Sequence, residues 1–297
     1  MLSAIFYRRK DTYAMNQFEK ATQKSDDQFL RAVGVQKETF EVIFNLVASH
    51  IQSLRDEQPM KKRGQKSELP LVERLLLTFT YLRHYPTFAR LGNEFGISES
   101  YANKIYHQML DVLVKVLPMK SRKHLLDSDL ETIAIDVTEQ PIERPTIRQR
   151  LYYSGKQKLH TIKVQLIICL ATLEILSVIC RKGRVHDYRI LKESRLAVAP
   201  EIEKLADSGY QGIAKLYANS YTPIKKTRNK PLTREARKFN RELASRRIPI
   251  EHVNRWCKIF RIVKETYRGK HRNYGKTWNV IAAIVNLRYS AEICQPA

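Results

Sequence analysis

Cysteine is sparse in this 297-residue chain: Cys169, Cys180, Cys257 and Cys294 stand far apart, with no CxxC pair and no zinc-ligand spacing. That pattern argues against a disulfide framework or a zinc module and fits a reducing, cytoplasmic setting. Long apolar runs are missing too. No stretch of about 18 or more apolar residues exists to cross a bilayer, so no membrane partner is expected. Met1 to Lys10 places a short apolar patch ahead of Arg8, Arg9 and Lys10, the wrong order of charge for a signal peptide. The third scarcity is of acids: 30 Asp and Glu against 53 Lys and Arg leave a formal net charge of +23. Such an excess is the footprint of a polyanion binder, and double-stranded DNA is the first partner it suggests.

What is present falls into two regimes of hydrophobic period. In the first, residues 1–60 read as an N-terminal helical region. Ser25-Asp26-Asp27-Gln28 has the form of a capping box opening a short helix that stops at Gly34, and Phe40, Ile43, Phe44, Val47, Ile51 and Leu54 form one face of the next. Asp56 to Lys66, with Pro59, Gly64 and Lys61-Lys62-Arg63, reads as a linker. Residues 61–122 then read as a helix-turn-helix domain. Pro70 opens a helix with Leu71, Leu75, Leu76 and Phe79 on its apolar stripe. Thr87 caps a short helix through Phe95, Gly96 supplies the turn, Ile97 plugs the core, and Ser98 caps a longer helix. In such a unit the second helix enters the major groove, which makes Ser98, Ser100, Tyr101, Asn103 and Lys104 the candidate DNA contacts. A helical hairpin used only for packing shares the same pattern.

From residue 127 to 297 the period changes to that of strands. Ile133 to Thr138 is a short apolar run that carries Asp136, a carboxylate in a place where burial penalises charge unless it is paired, protonated or metal-bound. His160 to Cys169 and Ile175 to Cys180 are two further strands, and a turn is expected around Ser154-Gly155-Lys156. A helix follows Arg184 to Arg189, and Ile202 to Ala206 is a fourth strand that ends at Asp207. Strand, strand, strand, helix, strand and then helices is the order of an RNase H-like core, whose first and fourth strands lie side by side. The fold class is therefore α/β (α+β): an RNase H-like mixed-sheet catalytic domain preceded by an all-α helix-turn-helix domain. On that topology Asp136 and Asp207 are neighbours.

Between Lys225 and Arg247 ten cations face two acids, a run suited to tracking phosphates; Lys225 and Lys226, with Arg148 and Lys156 further upstream, are the DNA-contact candidates of this domain. Pro249 reads as a first-turn proline of a helix whose buried face is Ile250, Val253, Cys257 and Phe260, with Glu251 on a neighbouring face. Taken singly, Asp136 also suits pairing with a basic neighbour, Asp207 a turn start, and Glu251 a first-turn acid. Glu139 and Asp187 are rival ligands.

Asp136-Val137-Thr138-Glu139, Tyr153-Ser154-Gly155-Lys156, Gly183 to Asp187, Asp207-Ser208-Gly209-Tyr210-Gln211-Gly212 and Glu251-His252-Val253-Asn254-Arg255 together resemble the DDE transposases of the bacterial IS5 group, over most of residues 127–290. The resemblance implies that Asp136, Asp207 and Glu251 ligate Mg²⁺ or Mn²⁺, two ions per site, for cleavage and strand transfer at terminal inverted repeats. It also implies a homodimer or higher homo-oligomer acting on transposon ends and target DNA, associated with the bacterial nucleoid. The family's Tyr, Arg, Glu and Lys signature maps onto Arg247, Glu251 and Lys258, with Ala244 where the Tyr would stand. Arg247 and Lys258 are accordingly candidates for holding phosphate in the catalytic set. Two other readings remain beside it: a catalytically inactive or domesticated sequence-specific DNA-binding protein, and an RNase H-like DNA nuclease without joining activity.

Overall fold

The computed structural model describes residues 16–57, 69–117, 119, 122–126, 129–227 and 231–293. Most of the expected linker, the first ten residues, Arg228, Lys230 and Cys294 lie outside them. The N-terminal part is helical: α1 (Gln17–Thr22), α2 (Asp26–Val33), α3 (Lys37–Glu57), α4 (Leu71–His84), α5 (Phe88–Phe95) and α6 (Glu99–Val116). Ser25 caps α2 by accepting from the Gln28 backbone N–H, and Gly34 ends it at φ +92°. The two-way capping box falls one helix earlier, where Asn16 and Glu19 cap each other's backbone.

α5 and α6 form the anticipated helix-turn-helix. Thr87 accepts from the Arg90 N–H at 3.2 Å and Ser98 from the Tyr101 N–H at 3.2 Å, so both helices begin at side-chain caps. The turn between them depends on two glycines for different reasons. Gly96 takes φ +66°, a conformation L side chains rarely adopt. Gly92 is a matter of space, since a Cβ there would stand 2.6 Å from the Ile97 carbonyl oxygen.

The second part is built on a mixed sheet of β1 (Thr132–Pro141), β2 (Tyr153–Ser154), β3 (Leu159–Cys169), β4 (Ile175–Lys182), β5 (Glu203–Ala206) and β6 (Ser220–Tyr221), with α7 (Asp187–Ser194) between β4 and β5. β1, β3 and β4 form an antiparallel meander, and β5 returns parallel to β1, followed by β6 parallel to β5. The spatial order β4-β3-β1-β5-β6, with the short β2 on the end of β3, is the RNase H-like arrangement. Neither β2 nor β6 was legible as a strand, because each pairs over only two residues. The faces are both apolar: Ile133, Ile135, Ile167 and Cys169 pack towards α7, while Ala134, Leu166 and Ile168 join a core shared with the N-terminal helices.

Two long helices cover that second face: α8 (Arg234–Cys257) and α9 (Tyr274–Ile293). Pro249 corrects an expectation, for it lies inside α8 and does not open it. The basic run before it continues the helix, capped at Thr233, whose side chain accepts from the Ala236 N–H at 3.1 Å. A proline within a helix lacks one N–H and crowds the carbonyl four residues earlier, a cost that tertiary packing of Leu243, Ile250, Val253 and Cys257 offsets here. α9 buries Trp278, Ile281, Ile284 and Val285 on several sides, as a helix within a core must. Gln140, near the end of β1, donates to the carbonyls of Ile262 and Glu265 at 2.7 Å each and accepts from Tyr274 at 2.8 Å, which fixes β1 against the segment between α8 and α9.

Candidate active site

Register decides which way Asp136 points. Its partner across β1 and β3 is Leu166, whose side chain faces α8 and α9, so Asp136 faces them too. On the other side Ile135 pairs with Ala206 in parallel register, which puts Asp207, the next residue, beside Asp136 on the same face. Asp207 continues extended and caps a tight 3-10 turn, its Oδ1 accepting from the Gly209 N–H at 2.9 Å. The expected adjacency of the two aspartates thus follows from the parallel pairing of β1 and β5.

α8 supplies the third wall. Arg247, Glu251, Asn254 and Lys258 recur at steps of four, three and four along one helical face. Arg247 Nη2 donates to Asp136 Oδ1 at 3.5 Å, and Asn254 Nδ2 donates to Asp136 Oδ2 at 3.0 Å. Glu251 stands exposed at the rim, far from the helix N-terminus at Arg234, so the first-turn explanation for it falls away. Burial pushes the Asp136 carboxyl up to about 6; Arg247 opposes the rise, and the charges of Asp207 and Glu251 add to it. Burial also lowers the Lys258 ammonium, against the pull of Asp136. Asp136 thus feels the charges of Arg247, Asp207 and Glu251, and Lys258 feels that of Asp136.

Asn254 was missed in the sequence, although its helical phase, three residues after Glu251, places it on the face already chosen. Arg247 Nε and Asn254 Oδ1 are buried without a hydrogen-bond partner among the described residues. The rival acids lie on the opposite face. Glu139 Oε2 accepts from Thr161 at 3.0 Å and its Oε1 lies 3.6 Å from Lys163, while Asp187 Oδ1 accepts from Lys163 at 2.8 Å. Both are therefore held in a partly buried pairing with one lysine. Asp187 nonetheless closes on the site from beneath: a Cβ on Gly209 would meet Asp187 Oδ2 and Asp207 Oδ1 at 3.0 Å each. Tyr210, the residue after that glycine, is fully buried and donates to Gln165 at 3.0 Å, anchoring the turn on β3.

Among the described residues no group of three or more His, Cys, Asp or Glu side chains is gathered closely enough to hold a metal ion. Asp136 is turned to Arg247 and Asn254 and Asp207 to the Gly209 N–H, as like charges arrange themselves when each finds a donor of its own. The donor set itself suits a hard divalent cation: carboxylate oxygens, one of them largely desolvated and carrying two further negative charges nearby.

The candidate DNA contacts divide by position. Ser98, Ser100 and Lys104 are exposed on α6, and Tyr101 is half-buried against the core. Asn103 faces elsewhere, into a cleft of about 790 Å³ whose far wall includes Arg268, Lys270 and Arg272 of the second part. Arg268 bridges that cleft, donating to the Tyr85 carbonyl at 2.6 Å and lying 4.2 Å over its ring. Arg148, Lys156, Lys225 and Lys226 are all exposed. Arg246, by contrast, is paired with Glu203.

A parallel-and-antiparallel sheet of this order, with one carboxylate midway along its central strand, one just past the end of the parallel neighbour and one on a crossing helix, defines an RNase H-like catalytic domain behind a helix-turn-helix. Residues 135–286 match the family described as DDE superfamily endonuclease, and residues 67–119 the helix-turn-helix of that superfamily. A relative from Microchaete diplosiphon, described as "probable transposase for insertion sequence element IS702", is 38% identical over 272 residues, covering 90% of this chain and 96% of that protein. The chain belongs to the DDE superfamily endonucleases.

Proposed function

We propose that this protein is the transposase of an insertion sequence, which binds the inverted repeats bracketing its own reading frame and catalyses cleavage and joining of DNA strands. Asp136, Asp207 and Glu251 hold Mg²⁺ or Mn²⁺ in this reading. Two such ions supply charge neutralisation on both sides of an in-line displacement at phosphorus. Asn254 orients the Asp136 carboxylate, and Arg247 and Lys258 bring positive charge to the phosphate undergoing attack, where charge develops. The exposed face of α6 with Ser98, Ser100 and Lys104 reads the repeat, and Arg148, Lys156, Lys225 and Lys226 hold backbone phosphates. Copies of the chain associate to bridge two ends.

The observation that carries this proposal is the placement of Asp136 beside Asp207 by the β1 and β5 register, under an α8 face bearing Arg247, Glu251 and Lys258. The test uses the full chain with duplexes cut from the DNA flanking its reading frame, plus a target plasmid. Expected are nicks at the repeat ends in Mg²⁺ and strand-transfer products; Asp136→Ala loses both yet binds the duplex as before. Cutting retained by Asp136→Ala defeats the assignment, and nicks without joined products assign a nuclease instead.

A further inference from the structure

The hairpin that leaves β1 beyond Asp136 has a composition that packing does not explain. From Ile142 to Leu159 it carries five cations, Arg144, Arg148, Arg150, Lys156 and Lys158, against the single acid Glu143. The same stretch leaves four large apolar side chains in water: Ile147 is 73% exposed, Leu159 52%, Tyr153 43% and Leu151 36%. One half-exposed apolar residue is ordinary; Ile147, at 73% exposure between Arg144, Arg148 and Arg150, calls for a partner. Ile147 is the most exposed large hydrophobic among the described residues.

The root of this hairpin is held firmly. Tyr267 donates its N–H to the Pro141 carbonyl at 2.8 Å, and Ile142 donates to His160 at 2.9 Å. Gly183 packs against it so tightly that a Cβ would lie 2.5 Å from the Tyr152 carbonyl oxygen. At the tip, Ile147 precedes Arg148 in the left-handed region at φ +55°, and Arg144 Nε donates to Gln149 Oε1 at 3.0 Å across the turn. Five residues of strand, about 17 Å at 3.4 Å per residue, separate Asp136 from Pro141. A stiff connection therefore links the tip to the proposed chemistry.

Cations around an apolar tip match a partner that is polyanionic outside and apolar within, which describes a base-paired duplex. We propose that Ile147 enters the base stack of DNA engaged at the Asp136 site, while Arg144, Arg148 and Arg150 grip the flanking phosphates. Apolar wedges of this kind unstack one step and kink the duplex. The splayed DNA end then reaches the carboxylates further down β1. This inference rests on the transposase reading above.

The test measures distortion without chemistry. Full-length protein and its Ile147→Ala and Ile147→Phe variants are bound, in EDTA, to duplexes from the flanks of the reading frame carrying 2-aminopurine at successive positions. Expected with the native protein is a fluorescence rise of about fivefold at one or two adjacent positions, as unstacking produces. Ile147→Ala binds within about threefold of the native affinity, since phosphate contacts remain, but gives no rise; Ile147→Phe restores it. An undiminished rise with Ile147→Ala, or none anywhere with the native protein bound, overturns the wedge alone. Loss of self-association by Ile147→Ala in sedimentation without DNA assigns the patch to contact between copies and also overturns it. Failure of the native protein to bind any flanking duplex defeats the transposase reading together with the wedge.

Discussion

Asp136 is the residue on which burial, hydrogen bonding and like charge act at once. Its carboxyl rises from 3.8 to about 6 in the fold, with burial the largest cause. A native pKa above the unfolded one means that the folded state binds the extra proton; stability is fully present below pH 3.8 and falls as pH climbs to about 6. The rise corresponds to about 3 kcal/mol at most, at 1.4 kcal/mol for each pH unit. Asp136→Asn, which keeps shape and removes charge, is therefore more stable than the native protein at pH 8 in chelator. The two converge near pH 3.5. Urea unfolding across pH checks this, and a difference that stays constant with pH contradicts it.

At the scale of elements, most of the architecture could be read because periodicity and caps agree. Thr87, Gly96 and Ser98 marked the bounds of α5 and the start of α6 to the residue, and the alternation that opens β3 with the β-rich run of β4 marked the meander. The parallel pairing of β1 with β5 was an inference from strand order, and it alone brings Asp207 to Asp136. Misreading the start of α8 had a plain cause: Pro249 resembles a first-turn proline, and the cations before it carry no apolar stripe to declare a helix. Gln165 and Tyr210 were illegible for a different reason, since their pairing exists only across elements distant in sequence, whereas Asn254 had a signal in its helical phase. Within the helix-turn-helix, Gly92→Ala is expected to lower stability more than Gly96→Ala. The first meets backbone at 2.6 Å, whereas the second has open space and carries only the left-handed backbone cost of about 1 kcal/mol. Thermal unfolding of the two variants decides; equal losses would mean that α5 shifts away from the turn freely.

Across the whole molecule, the helical part and the sheet share one apolar core, and polar ties cross between them. Lys276 lies 2.6 Å from Asp111, and Arg83 donates to the Ile259 carbonyl. α6 and the carboxylates are thus parts of one packed body, in a chain with a net charge of +23. Binding to DNA should fall steeply with salt. Lys225 and Lys226 are exposed on the loop between β6 and α8, where Asn240 pins Ile224. Replacing both by Ala should reduce the slope of log K against log salt by about 2, at about 0.9 for each phosphate contact released. Filter binding between low and moderate salt measures it; an unchanged slope removes these lysines from the interface.

If Asp136, Asp207 and Glu251 act together on one pair of divalent cations, ligand softness reveals it directly. Asp136→Cys, Asp207→Cys and Glu251→Cys offer sulfur where oxygen stood, which Mg²⁺ disfavours and Mn²⁺ tolerates better. Cleavage of flanking-repeat duplexes is measured for each variant in the two ions. All three variants are expected to lose cutting in Mg²⁺ and recover part of it in Mn²⁺; undiminished cutting in Mg²⁺ by any one of them rules out shared ligation by the three carboxylates.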